Sequence, residues 1–143
     1  MEALWIFLLF CVIVFVGAFF QGRHWMRSLE RQYKLRGMAS PQEVLHAAAN
    51  AAKGLRWDVR ETNEGCETEH DVGTTIQIKL DPEDDGGCTT TLFLSKIKYK
   101  YQMGGLIKTP NAYRSIQRRR KRILTAVSAT VGTDSWLEVQ GLN

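Results

Sequence analysis

The side chains with chemistry to offer are three histidines, three cysteines, one acidic run and one dense run of cations. His24, His46 and His70 are scattered and show neither the HxxxH nor the HExxH spacing of a metal-binding helix. Cys66 and His70 stand four apart on an expected strand, so they share a face, but two ligands do not make a metal site. No CxxC pair or finger spacing is present among Cys11, Cys66 and Cys88. Asp81, Glu83, Asp84 and Asp85 lack the DxDxDG order of a calcium loop and lack its bidentate Glu on a following helix. Gly86-Gly87 and Gly104-Gly105 do not follow the strand-to-helix pattern of a phosphate loop. No Ser or Cys is placed beside a base. The reading is a non-enzyme with no cofactor and no metal.

The remaining candidate is Arg118, Arg119, Arg120, Lys121 and Arg122. Five successive cations go round a helix, and those flanking its apolar stripe can snorkel over it. Beside an anionic leaflet each contributes about 1 kcal/mol before screening. A second basic row, Arg23, Arg27 and Arg31, recurs at four-residue spacing near the amino terminus. These eight residues are the expected contacts to anionic phospholipids, against the simpler reading of solvated helix faces. Nucleic acid is not an expected partner. Lys79, Lys96, Lys98 and Lys100 read as one sheet face, but Tyr99 and Tyr101 fall opposite, where they cannot stack bases among the cations.

What must hold these residues begins with Ala3 to Phe20, ALWIFLLFCVIVFVGAFF, which carries no charged, amide or hydroxyl side chain. At ~1.5 Å per residue it nearly crosses a hydrocarbon core of roughly 30 Å. A helix apolar on every side belongs in lipid or among membrane helices. Residues 3–22 therefore read as a transmembrane helix flanked by Trp5 and Trp25. A cleaved signal is disfavoured, because there is no basic n-region and Gly17-Ala18-Phe19-Phe20 is a poor cleavage site. Only Glu2 precedes the span, whereas Arg23, Arg27, Arg31, Lys34 and Arg36 follow it. The expected topology is N-out, C-in, in the inner (plasma) membrane. A Cys66–Cys88 bridge belongs only to the inverted topology, since a cytoplasmic pair stays reduced.

Residues 23–38 read as a basic juxtamembrane stalk, helical to about Lys34. Residues 39–132 read as one small domain. Ser40-Pro41-Gln42-Glu43 is a capping box opening an alanine-rich helix that ends near Gly54. Leu55, Trp57 and Val59 alternate with polar residues, as do Thr74, Ile76, Ile78 and Leu80, so both are strands. Asp81 to Gly87 is the strongest turn signal. One long strand, about Cys88 to Gln102, follows, then a loop, then a helix opened by Pro110 with Tyr113, Ile116, Ile123, Leu124, Val127 and Val131 as its stripe. Residues 133–143 form an apolar tail.

Charge is segregated along this chain, whose formal total is +4. Glu61 to Asp85 holds nine acids against Lys79, whereas Gly86 to Thr133 holds ten basic residues and no acid. Such polarity implies a docking surface. The expected fold class is α+β: one transmembrane helix, then a helix, a four-stranded antiparallel sheet and a long C-terminal helix.

A long C-terminal helix across an antiparallel sheet resembles the helix-grip arrangement of the START and Bet v 1-like families, and Ser40-Pro41-Gln42-Glu43-Val44 is similar to the start of their first helix. That resemblance implies a lipid or small-ligand module with a cavity lined by Trp57, Ile76, Ile78, Phe93, Ile97 and Tyr99. The leading expectation is instead a non-catalytic accessory or assembly subunit of an integral membrane protein complex. Ala18 and Gly22 have the small-xxx-small spacing of helix–helix contacts, and Trp136, Leu137 and Val139 would lie on the partner. By size and layout the chain is similar to one-span accessory subunits of actinobacterial respiratory oxidase supercomplexes.

Overall fold

A computed structural model describes residues 1–132 and, as backbone, 137–139. Helix α1 spans Glu2–Glu30 and is long and apolar enough to cross a membrane. It stops earlier than the sequence suggests. Arg31 is extended, with φ −66° and ψ 137°, and strand β1 follows at Gln32–Gly37. The supposed end of the stalk is thus a strand of the sheet. Helix α2, Pro41–Ala52, begins as its cap residues dictate: Ser40 Oγ accepts from the Glu43 amide at 3.3 Å, with Pro41 in the first turn.

Four strands succeed it: β2 Trp57–Thr62, β3 Gly65–His70, β4 Thr75–Pro82 and β5 Cys88–Lys96. The expected long strand breaks after Lys96. The Lys98 amide donates to Thr74 Oγ1 at 3.2 Å and its carbonyl accepts from Asn111 N–H at 2.8 Å. The chain then leaves the sheet. It forms a separate hairpin from β6, Tyr99–Gln102, and β7, Ile107–Pro110, joined by a 3-10 turn at Met103–Gly105. Pro110 closes β7, and helix α3 starts at Tyr113 and runs to Val131. Gly132, at φ 81°, ends α3 and donates to the Ser128 carbonyl at 2.8 Å.

With Leu137–Val139 as strand β8, the main sheet has six strands among the described residues rather than four, all antiparallel, in the order β2-β3-β4-β5-β1-β8. Helix α2 lies on β2, β3 and β4, and α3 packs beside α2 and over β1, giving an α+β, helix-grip-like arrangement. Small residues let α2 sit close: Ala48 and Ala52 are fully buried with Val44. The core is completed by Leu35, Ile76, Ile78, Leu92, Ile116, Ile123 and Val127.

Registers decide which faces meet. Ile78 pairs with Leu92 and Ile76 with Leu94, so Phe93, opposite Gln77, points to the sheet's other face. Phe93 therefore does not line the core, and Tyr99 belongs to the hairpin. Lys79 lies on the main sheet and Lys100 on the hairpin, so the four lysines do not share one face.

Candidate functional site

The cationic run at Arg118–Arg122 is split by its helix. A stripe on α3 runs Ile116, Arg120, Ile123, Val127, at spacings of four, three and four, and Arg120 is as much a part of it as the isoleucines. Only 3% of Arg120 is exposed. Its Nη1 donates to the Ser28 carbonyl at 2.9 Å and its Nη2 to Gln117 Oε1 at 2.6 Å. Its guanidinium lies 5.1 Å from the Tyr33 ring centre. Ser28 is in the last turn of α1, where carbonyls have no helical partner and the helix dipole is negative. Arg120 therefore caps α1 from 92 residues away.

Arg119 does the same for α2. Its Nη1 donates to the carbonyls of Ala51, at 3.0 Å, and Lys53, at 2.5 Å. The guanidinium sits 5.9 Å from the Trp57 ring and against Gly54, where a methyl group would collide with it. Partial burial, with Arg122 nearby, pulls its pKa below the usual arginine value. Arg119 and Arg120 are thus not lipid-facing. The cations this run leaves to solvent are Arg118, Lys121 and Arg122, which with Thr125, Ala126 and Ala129 line a shallow groove along the outer side of α3.

Around Arg120 a compact junction locks α1 to the domain. The Trp25 and Tyr113 rings stack at 4.9 Å and 13°. Gln117 Nε2 donates to Ser28 Oγ at 2.7 Å and to the Tyr113 hydroxyl at 2.9 Å. Leu29 is fully buried in the domain core. Of the amino-terminal basic row, Arg23 and Arg27 are exposed, with Arg23 lying 5.7 Å from the Phe19 ring, and Arg31 is exposed at the turn into β1.

The small residues of α1 find their neighbour within the chain. Gly22 is buried under the hairpin, and a Cβ there would lie 2.8 Å from Lys108 O and 3.1 Å from Thr109 Cγ2. Its size serves this approach rather than a partner's helix, and Ala18, on the same face, is half-buried. In the tail, Leu137 and Val139 pair through their backbones with Lys34 and Gln32 of β1, so this stretch completes the sheet. Trp136 lies outside the described residues.

The cysteine chemistry is settled by packing. Cys66 and His70 do share a face of β3, with Thr68 between them, and both are buried. His70 meets the Trp57 ring edge-on at 4.8 Å, and its Nδ1 lies 3.2 Å from the Val72 amide and 2.8 Å from Asp71 Oδ1. Among the described residues, no three His, Cys, Asp or Glu side chains cluster to hold a metal. Cys66 stands level with Ile78 and Leu92, whereas Cys88 is four residues further along β5. Four strand residues span ~13 Å, beyond the ~7 Å Cα limit for a disulfide, so this pair cannot report on topology in either compartment.

Burial, with a smaller push from Glu61, raises the Cys66 thiol from 9.0 to about 11. The folded pKa lies above the unfolded one, so this contribution to stability is intact below pH 9 and lost as pH rises through 11. The loss amounts to at most about 2.7 kcal/mol. Denaturation midpoints measured from pH 8 to 11 will fall more steeply for the parent protein than for Cys66→Ala. Parallel curves would remove Cys66 as their cause.

No family model, curated protein or solved structure matches the chain.

Proposed function

We propose that this protein is a single-pass, non-catalytic accessory or assembly subunit of a larger membrane protein complex. Helix α1 occupies the bilayer, and the α+β domain is fixed at its cytoplasmic end. The observation that carries the reading is the junction. No flexible linker separates helix from domain: α1 runs unbroken to Glu30, its last turn is capped by Arg120, and Leu29 sits in the domain core. A rigid join sets the height and rotation of the domain relative to the span. A subunit that positions partners needs this; a carrier that exchanges ligands with the bilayer does not.

Two further features support it. The side chains of Leu4 to Val14 on α1 are 46–70% exposed where large and apolar, a surface suited to lipid or neighbouring membrane helices. Arg23, Arg27, Arg31, Arg118, Lys121 and Arg122 form the basic set for anionic phospholipids and for retention of the domain on the inner side. The alternative, a lipid or small-ligand module, draws no support from the core. Ile76 and Ile78 are fully buried by packing, and Phe93 points away. The respiratory oxidase supercomplex remains the partner class suggested by layout.

Purification through a C-terminal tag in mild detergent is the test. A membrane protein is expected to co-purify in stoichiometric amount. Recovery of the chain alone and monodisperse would refute the accessory-subunit reading.

A further inference from the structure

The β6–β7 hairpin forms a sheet of its own and stands off the domain, alongside α1. Its height can be read from its contacts. Tyr113, just after the hairpin, stacks on Trp25, and Lys108 and Thr109 lie against Gly22, so the chain climbs α1 toward its amino terminus as it is traced back from α3. Leu106 is two residues beyond Lys108, or ~7 Å at the strand rise, which equals four to five residues of helix. That brings the turn to the level of Ala18 and Gly17, within the apolar run that ends at Phe20. The accessibility of α1 agrees. Among its first 20 residues only Phe15 and Ala18 are not exposed, and both share the face of Gly22.

The hairpin also has the composition of an interfacial element. Ile107 faces inward and is 2% exposed, while Tyr101, Met103 and Leu106 are 65%, 58% and 68% exposed at its end. Lys108 pairs with Tyr101 at the shoulder of the hairpin and Lys100 lies one residue further down β6, with Lys108 Nζ 4.0 Å from the Tyr99 ring centre. Met103, Gly104 and Gly105 all have positive φ, making the turn narrow. Pairing between β6 and β7 satisfies their inward-facing backbone groups and leaves the outer edges open, which suits the hydrated lipid interface rather than the hydrocarbon core. An apolar tip above a shoulder of aromatic and cationic side chains, Tyr101 and Lys108 with Lys100 just below, matches the passage from acyl chains to the interface and its anionic headgroups.

We propose that the tip of this hairpin, Met103 and Leu106, with Tyr101 at its shoulder, inserts into the lipid interface beside α1, giving the protein a second membrane contact that stops it rocking on its single span. The occupant is lipid because the tip lies at the depth of the span itself and its flanks are cationic. The proposal rests on α1 being a membrane span.

The full-length protein, reconstituted in phosphatidylcholine and phosphatidylglycerol vesicles, tests it. Single cysteines are introduced as Met103→Cys, Leu106→Cys and, at a distant turn, Glu64→Cys, each in a Cys11→Ala background with the buried Cys66 and Cys88 retained. An environment-sensitive fluorophore on each is exposed to lipids spin-labelled at shallow acyl positions, to lipids labelled deep in the acyl chain, which reach Cys11, and to aqueous iodide. Lipid quenching at 103 and 106 is expected to exceed that at 64 several-fold, with iodide quenching correspondingly weak. The parent protein labelled at Cys11 separates the two ideas. If Cys11 is quenched by lipid but 103 and 106 answer to iodide as 64 does, the hairpin proposal fails and the span stands. If neither quencher reaches 103 and 106, a protein covers the tip and the proposal also fails. If Cys11 itself is not quenched by lipid, the span fails and takes the hairpin contact with it.

Discussion

Arg120→Ala should cost about 3–5 kcal/mol of stability, from two charge-assisted hydrogen bonds and the packing of a buried side chain. The substitution leaves the Ser28 carbonyl and Gln117 Oε1 without their donor inside the protein, and it opens a gap between Tyr33 and α3. Two hydrogen bonds from a charged donor, at ~1.5–3 kcal/mol each, account for the size of the effect. In a domain of about a hundred residues this corresponds to a fall of more than ~10 °C in melting temperature. Arg119→Ala should cost about 1–2 kcal/mol, because its caps lie nearer the surface. Arg118→Ala should change stability by less than ~0.5 kcal/mol. Tryptophan fluorescence melts in detergent will rank the three. If Arg120→Ala and Arg118→Ala melt together, Arg120 does not hold α1 to the domain. The gradation also governs any lipid-binding experiment. Neutralising the whole run would confound loss of charge with loss of fold, so only Arg118, Lys121 and Arg122 are suitable targets.

Gly22→Leu should lift the hairpin off α1. The neighbour at 2.8 Å from the new Cβ is a strand carbonyl, Lys108 O, which cannot rotate away as a side chain can. Relief requires β7 to move bodily, which uncovers Ile107. Overpacking costs ~1–3 kcal/mol and re-exposing an isoleucine ~1.5–3, so a local destabilisation of roughly 2.5–6 kcal/mol is expected. Because the hairpin is a separate sheet, the effect should stay local. Amides of residues 99–109 should exchange at least tenfold faster in hydrogen exchange, while those of β4 and β5 keep their protection. Gly17→Leu is the control, since nothing lies within 4 Å of a Cβ at that position. If the hairpin exchanges equally in both variants, Gly22 is not its seat.

The outcome at these two positions shows how far sequence reasoning reaches. Arg120 falls on the spacing of Ile116, Ile123 and Val127, so the stripe itself carried a signal that one arginine was interior. Counting the run as five equivalent cations concealed it. Gly22 carried half a signal. Its small size correctly marked a close approach, but a membrane span suggests a foreign helix, and the neighbour is this chain's own hairpin. Gln32–Gly37 was harder still. In QYKLRG, Tyr33 and Leu35 alternate with Lys34 and Arg36 at the strand period, but six residues directly after a long helix are too short a signal until β5 and β8 flank them with backbone partners.

By itself the sequence determined what depends on neighbours within a turn or two of chain. It marked the apolar length of α1, the capping of α2 by Ser40, the alternation in β2 and β4, the turn at Asp81 to Gly87, and the α+β class. Each is local, set by the 3.6- or 2-residue period and by the backbone preferences of Ser, Pro and Gly. Only the tertiary structure decided which cations face water, which glycine is buried, and where the long strand breaks to send a hairpin up α1. Those choices turn on carbonyls and side chains tens of residues away, as Ser28 is from Arg120 and Gly22 from Lys108. Desolvation and hydrogen bonding act on whatever the fold brings together, and no local period encodes that meeting.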